Sequence, residues 1–255
     1  MGEIDQVLAR VYAARDPGGV DRSGVDRGFD HAPHFRPPKS IETRDESQAI
    51  AWPATVEALE RSHGDRFEKL ADMLIDQSRS GRAKVTLFTS CRRAEGRTTL
   101  VLTLARALAT KPVRSLLVDA DLGGPMLARR LGLTPRYGLE DVVESGIAAS
   151  SAWIDTKGER LSILPLRGPA ASPREFLASP AWSCLMARLR REFDLVLLDG
   201  GPLFVGLSAA ALHRSVDAAI LVQHQGVTSD RSINRAREVL DAAGIPLLGM
   251  AETFV

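Results

Sequence analysis

Val85-Thr86-Leu87-Phe88-Thr89-Ser90-Cys91-Arg92-Arg93-Ala94-Glu95-Gly96-Arg97-Thr98-Thr99 opens on an apolar run, turns through a polar segment with one glycine, and leads into the helical pattern Leu100 to Ala109. Strand, glycine turn and helix in that order begin a crossover that returns the next strand parallel to the first. The pattern recurs along the chain. Apolar runs stand at Val85 to Phe88, Ser115 to Val118, Leu161 to Leu164, Leu195 to Leu198 and Ala219 to Val222, with a sixth at Leu247 to Met250. Each is nearly all apolar instead of alternating, as strands covered on both faces are. Helical patterns separate most of them, at Thr98 to Thr110, Met126 to Leu131, Pro173 to Arg190 and Asp230 to Ala243. The expected fold is α/β, a mostly parallel sheet flanked by helices on both faces, with its ligand crevice beyond the carboxyl ends of the strands.

Upstream, Ala54 to Glu60 and Arg66 to Gln77 read as helices broken by a turn at His63-Gly64, so folded structure is expected from Trp52. From Arg15 to Gln48 the only sizeable aliphatics are Val20, Val25 and Ile41, too little apolar area to offset ordering entropy. Residues 1–14 place Ile4, Val7, Leu8, Val11 and Tyr12 at helical spacing, an amphipathic helix that either folds back on the domain or docks a partner. The expected organisation is a helix at 1–14, a disordered linker at 15–50 and one domain at 51–255.

Composition narrows the function classes. With 44% hydrophobic and 25% charged residues the chain is globular, not a fibrous or disulfide scaffold. Thirty-three basic against 32 acidic residues leave +1, so no bulk field would hold it on a nucleic acid, and no nucleic-acid partner is expected. Cys91 and Cys184 form neither a disulfide framework nor a metal spacing, which fits a reducing compartment. No apolar run approaches the roughly 20 residues of a membrane span, and the first residues do not resemble a signal peptide. A cytoplasmic location is expected.

Chemistry is to be sought just after the apolar runs. In a phosphate loop, Gly-x-x-x-x-Gly-Lys-[Ser/Thr], backbone N–H groups cradle the phosphates, the lysine reaches their outer oxygens and the hydroxyl binds magnesium. Gly96 and Thr98 match, whereas Cys91 stands at the first glycine and Arg97 at the lysine. A glycine turn that merely caps a helix would look similar, but the strand before, the helix after, Arg92, Arg93 and Arg97 around the turn, and the hydroxyls of Thr98 and Thr99 favour the phosphate reading. The second run ends in Asp119-Ala120-Asp121 and the fourth in Asp199-Gly200-Gly201-Pro202. Each acid alone is more simply a helix cap; together at separate strand tips they are placed to manage a metal or a nucleophile.

With these residues in order, the run from Phe67 to Met250 resembles the P-loop ATPases of the ParA/MinD group, and most closely the bacterial tyrosine-kinase (BY-kinase) domains that act with polysaccharide co-polymerases in capsule and exopolysaccharide synthesis. Ala94-Glu95-Gly96-Arg97-Thr98-Thr99 is similar to their Gly-Glu-Gly-Lys-Ser/Thr-Thr, Leu116 to Leu122 to their second acidic motif, and Phe193 to Asp199 with Pro202 to their Walker B segment. The resemblance implies ATP and Mg2+ as cofactors. It implies nucleotide binding by Arg92, Arg93, Ala94, Glu95, Gly96, Arg97, Thr98 and Thr99, metal binding by Thr98, Asp121 and Asp199, and catalytic roles for Arg97, Asp119 and Asp121. Arg92 stands at the signature lysine that crosses a dimer interface in ParA/MinD proteins, which allows a homo-oligomer; a solvated surface arginine is the plain alternative. A membrane polysaccharide co-polymerase is the implied partner, bringing the chain to the inner membrane.

This sequence also departs from that pattern. An Arg97 fork is not interchangeable with a compact ammonium. Ala94 adds a methyl where a positive φ is expected. The only tyrosines are Tyr12 and Tyr137, so no terminal tyrosine cluster is present, and the ring-assembly motif Glu-x-x-Arg-x-x-Arg is reduced to Asp65, Glu68 and Ala71. The resemblance and these departures from it leave three expected functions: an ATP-binding, tyrosine-kinase-like regulator of polysaccharide assembly, a ParA/MinD-type partitioning ATPase, and a pseudo-ATPase scaffold. Trp153, Trp182 and Phe88 are read as core side chains, and His213 and His224 as lacking a metal-binding spacing.

Overall fold

The computed structural model describes residues 47–204 and 209–254. The expected helix at 1–14 and most of the expected linker lie outside the described residues. The elements in chain order are β1 (Ser47–Gln48), α1 (Ala54–Arg79), β2 (Val85–Ser90), α2 (Arg97–Ala109), β3 (Ser115–Ala120), α3 (Leu127–Arg130), α4 (Leu139–Glu144), β4 (Ile154–Thr156), β5 (Leu161–Leu164), α5 (Pro173–Ala178), α6 (Pro180–Glu192), β6 (Leu195–Pro202), α7 (Ala209–Leu212), β7 (Ala218–His224), α8 (Asp230–Ala242) and β8 (Leu247–Thr253).

All eight strands form one sheet in the order β1-β4-β5-β3-β6-β2-β7-β8, parallel throughout except for the β4–β5 pair. Its six apolar runs were visible as strands; β4 was not, because Ile154-Asp155-Thr156 is short and half polar. Ser47–Gln48, at the end of the stretch expected to be linker, pairs in parallel with β4.

Period-two alternation divides the buried side chains between two faces. Leu87, Leu116, Val118, Val196, Leu198 and Leu221 point into one core layer, with Trp182, Met186 and Leu189 of α6 and Ile233 of α8. Phe88, Leu117, Leu195, Leu197, Ile220 and Val222 point into the other, beneath α1 and α2. Trp153, Trp182 and Phe88 are core residues, as expected. Trp182 Nε1 donates to Ser215 Oγ at 2.8 Å, so its one polar atom is satisfied inside.

Two helices differ from the sequence reading. The break at His63-Gly64 is a kink inside α1, where His63 alone leaves helical geometry (φ −139°, ψ 20°). The single helix expected from Pro173 to Arg190 is two. Pro180 forces Ser179 into an extended conformation (φ −70°, ψ 147°), and Ser179 Oγ then caps α6 by accepting from Trp182 N.

Strand order positions the site. From β2 the chain crosses to β3 on one side, and β6 later inserts between them, before β7 adds on the other side. The tips of β2, β6 and β3 therefore lie side by side at the point where the winding reverses, the usual crevice of such sheets.

At the opposite end, Asp217 fastens the sheet to α6. Its carboxylate accepts from Lys84 N and Val85 N, each at 2.8 Å, and from Arg190 at 2.7 Å. Burial alone would raise this carboxyl, but the Arg190 bond and the two amides outweigh it and hold it below the usual range. A depressed folded-state value means the stabilisation is present above the unfolded value near ~3.9 and is lost as pH falls through the folded one. Asp217→Asn is expected to lower unfolding free energy by about 1–3 kcal/mol at neutral pH, with the gap to wild type closing in acid, in urea titrations across pH.

Candidate functional site

The loop between β2 and α2 is a tight left-handed turn. Gly96 (φ 78°) ends it, and Ala94 (φ 63°) is the one non-glycine residue with positive φ among the described residues. That places a Cβ-bearing residue where the backbone favours glycine, as the Ala94 departure led us to expect. At Gly96 a side chain has no room: an added Cβ would lie 2.9 Å from Thr253 Cγ2. The α2 helix starts here, so its first amides, which have no partner within the helix, open onto the crevice.

Glu95 lines that crevice, but its carboxylate is engaged behind the loop. It is buried; its Oε2 accepts from Arg92 N at 2.9 Å and its Oε1 from Thr228 Oγ1 at 2.6 Å. Its carbonyl accepts from Thr253 Oγ1 at 2.8 Å. Glu95 thus braces the loop from behind. Thr228 and Thr253, which hold it, gave no signal in the sequence because they lie more than a hundred residues away. Cys91, at the position of the first loop glycine, is buried with Sγ 3.5 Å from Ser232 O, and burial pushes its thiol up to about 11.

Arg97 turns inward. Its Nε donates to Asp199 Oδ1 at 2.9 Å, one terminal nitrogen to Asp121 Oδ2 at 3.0 Å and the other to Ser90 Oγ at 3.0 Å. The side chain is only 8% exposed, against 6% for Asp121 and 2% for Asp199. Arg93 adds a second fork on Asp121, at 3.1 and 3.3 Å. Desolvation raises the Asp199 carboxyl above its usual range, opposed by Arg97 and by a hydrogen bond from Thr98. Ser90 went unread in the sequence, although it ends β2; its hydroxyl accepts from Arg97 and donates to Arg92 O.

Asp119 is brought close but turned elsewhere. It sits opposite Asp199 in the β3–β6 register, yet its Oδ2 accepts from Met126 N and Leu127 N and its Oδ1 from Asp121 N. It anchors the start of α3. Burial, and then the charge of Asp199, push its carboxyl up to about 8, against these three amides. Arg93, Ala94, Glu95, Gly96, Arg97, Thr98, Thr99 and Asp121 line a cavity of about 250 Å³, joined by Gly124, Met126 and Arg130. Arg92 is exposed and is not among the residues lining this cavity.

A nucleotide polyphosphate fits these residues: a left-handed loop, a helix N-terminus and arginines at the mouth. A divalent ion does not fit this arrangement, because both Asp121 oxygens and Asp199 Oδ1 are already bonded to guanidinium groups and the Asp119 oxygens accept from backbone amides.

No protein-family model matches the chain. Individual proteins do. It is 27% identical over 168 residues, 66% of this chain and 74% of the relative, to tyrosine-protein kinase CpsD of Streptococcus pneumoniae. It is 22% identical over 185 residues, 72% of this chain and 81% of the relative, to the putative tyrosine-protein kinase CapB of Staphylococcus aureus. A 168-residue match at 30% identity covers 64% of this chain and 21% of the succinoglycan biosynthesis transport protein ExoP of Rhizobium meliloti. Among solved structures, the VpsO kinase domain superposes with TM-score 0.66 at 26% identity, covering 76% of this chain and 98% of that one. The Pyrococcus horikoshii septum site-determining protein MinD, complexed with Mg-ADP, follows with TM-score 0.55 at 25% identity over 66% of this chain and 68% of that one. The α/β fold expected from the strand and helix pattern, and its P-loop character expected from the resemblance, are those of these neighbours.

The two left-handed positions give opposite expectations. Ala94→Gly should raise stability by about 0.5–1 kcal/mol by releasing the strained alanine, while Gly96→Ala should lower it by more than that, through both φ and the Thr253 contact. Thermal and urea unfolding of the two variants check the signs.

Proposed function

We propose that the chain is a nucleotide-binding, tyrosine-kinase-like P-loop protein that serves exopolysaccharide or capsule synthesis. The observation that carries this reading is the left-handed loop at the N-terminus of α2, beside Asp121 and Asp199 at neighbouring strand tips. The kinase names of CpsD and the VpsO domain support the activity class, and the name of ExoP supports the polysaccharide setting. ATP would supply a transferable phosphoryl group. Loop amides from Ala94 to Thr99 would hold its phosphates, with Arg93 and Arg130 at the mouth. The match to ExoP is a fifth of that protein, and we take a separate membrane polysaccharide co-polymerase to supply the remainder here. No helix among the described residues is long and apolar enough to cross a membrane, so attachment would run through that partner.

Calorimetric titration with ATP and with ADP tests this. Saturable binding at micromolar to millimolar concentration is expected, weakened by about tenfold or more in Gly96→Val, whose side chain would collide with Thr253. Absence of binding at millimolar nucleotide removes the reading.

A second reading, a catalytically impaired scaffold, is favoured by Arg97 itself. Its fork is committed to Asp121 and Asp199, so it is not extended toward a phosphate. Arg97→Lys separates the two: a large gain in ATP turnover with unchanged partner binding identifies the natural chain as a scaffold, and unchanged turnover argues against it.

A further inference from the structure

Within the nucleotide reading, Arg97 has a more specific consequence. Its guanidinium lies between the carboxylates of Asp121 and Asp199, where a divalent ion would have to sit to use both. Three of its N–H directions are taken, by Asp199, Asp121 and Ser90, and all three charged side chains are buried. Asp121 Oδ2 accepts from Arg97 and Arg93, and Oδ1 accepts from Arg93. Two guanidinium groups therefore balance two carboxylates. Magnesium demands open oxygen ligands in near-octahedral array, and it would have to break buried, charge-assisted bonds to obtain them. Among the described residues no group of three or more His, Cys, Asp or Glu side chains is arranged to hold a metal.

We propose that Arg97 is a built-in cation standing in for the divalent ion, so that the chain binds the uncomplexed polyphosphate of a nucleoside di- or triphosphate without magnesium. This rests on the nucleotide reading and sharpens it. The phosphates contact the α2 amides and the mouth arginines, and the acid pair behind them stays neutralised by protein.

The test is calorimetric titration of the full-length wild-type chain with ATP, once in excess EDTA and once in excess Mg2+. The two dissociation constants are expected to agree within about threefold. In Arg97→Lys, a single ammonium cannot bridge both acids, and Mg2+ is expected to tighten ATP by about tenfold or more. Tightening of that size in the wild-type chain overturns the inference and leaves nucleotide binding intact. Equal affinities in both buffers for the lysine variant as well overturn the assignment to Arg97. No ATP binding in either buffer removes the nucleotide reading and this inference with it. Should the variant fail to fold, the wild-type pair still decides, backed by the ATP-induced rise in Tm, expected to be equal in the two buffers.

Discussion

One buried charge arrangement organises the carboxyl end of this sheet: a guanidinium from the first turn of α2 clamped between acids from two other elements. Asp199 ends the apolar part of β6, Asp121 follows β3, and Arg97 opens α2. Burying either carboxylate at this depth without a partner would be costly. So would burying Arg97 without them. The three groups make sense only together. Their mutual satisfaction draws β3, β6 and α2 to one point and leaves the amides of α2 facing outward.

Glycine geometry and remote side chains complete the loop. Gly96 has no Cβ because Thr253 occupies that space, and Thr253 in turn holds the carbonyl of Glu95. Glu95 contributes from behind, binding the Arg92 amide and Thr228. Ala94 keeps a left-handed backbone despite its methyl, which shows how firmly the surroundings determine the turn.

Much of the fold was legible because its strands are covered on both faces and so appear as uninterrupted apolar runs. Val85, Ser115, Leu161, Leu195 and Leu247 begin their strands where those runs begin. β4 was hidden by its brevity, and the α5–α6 break because it rests on one residue, Ser179, which Pro180 holds extended within an otherwise continuous helical pattern. At the site, the loop, Asp121 and Asp199 could be picked out by their place after the runs. What could not be read was direction. A basic residue at position 97 can reach outward to phosphate or inward to acids, and only the three-dimensional neighbours Ser90, Asp121 and Asp199 decide. Asp119 illustrates the same limit, since two residues from Asp121 it serves the start of α3 instead. Ser90, Thr228 and Thr253 carry no local signature, because their roles arise from contacts far apart in the chain.

The bond from Thr253 to Glu95 spans 158 positions and joins the end of β8 to the loop between β2 and α2. Contacts of such separation form late, after intervening elements have closed the gap. During synthesis the pocket would thus remain immature until β8 leaves the ribosome and docks beside β7. A nascent chain could hold most of its hydrophobic layers and still lack a finished cradle, which ties maturation of the crevice to the arrival of β8.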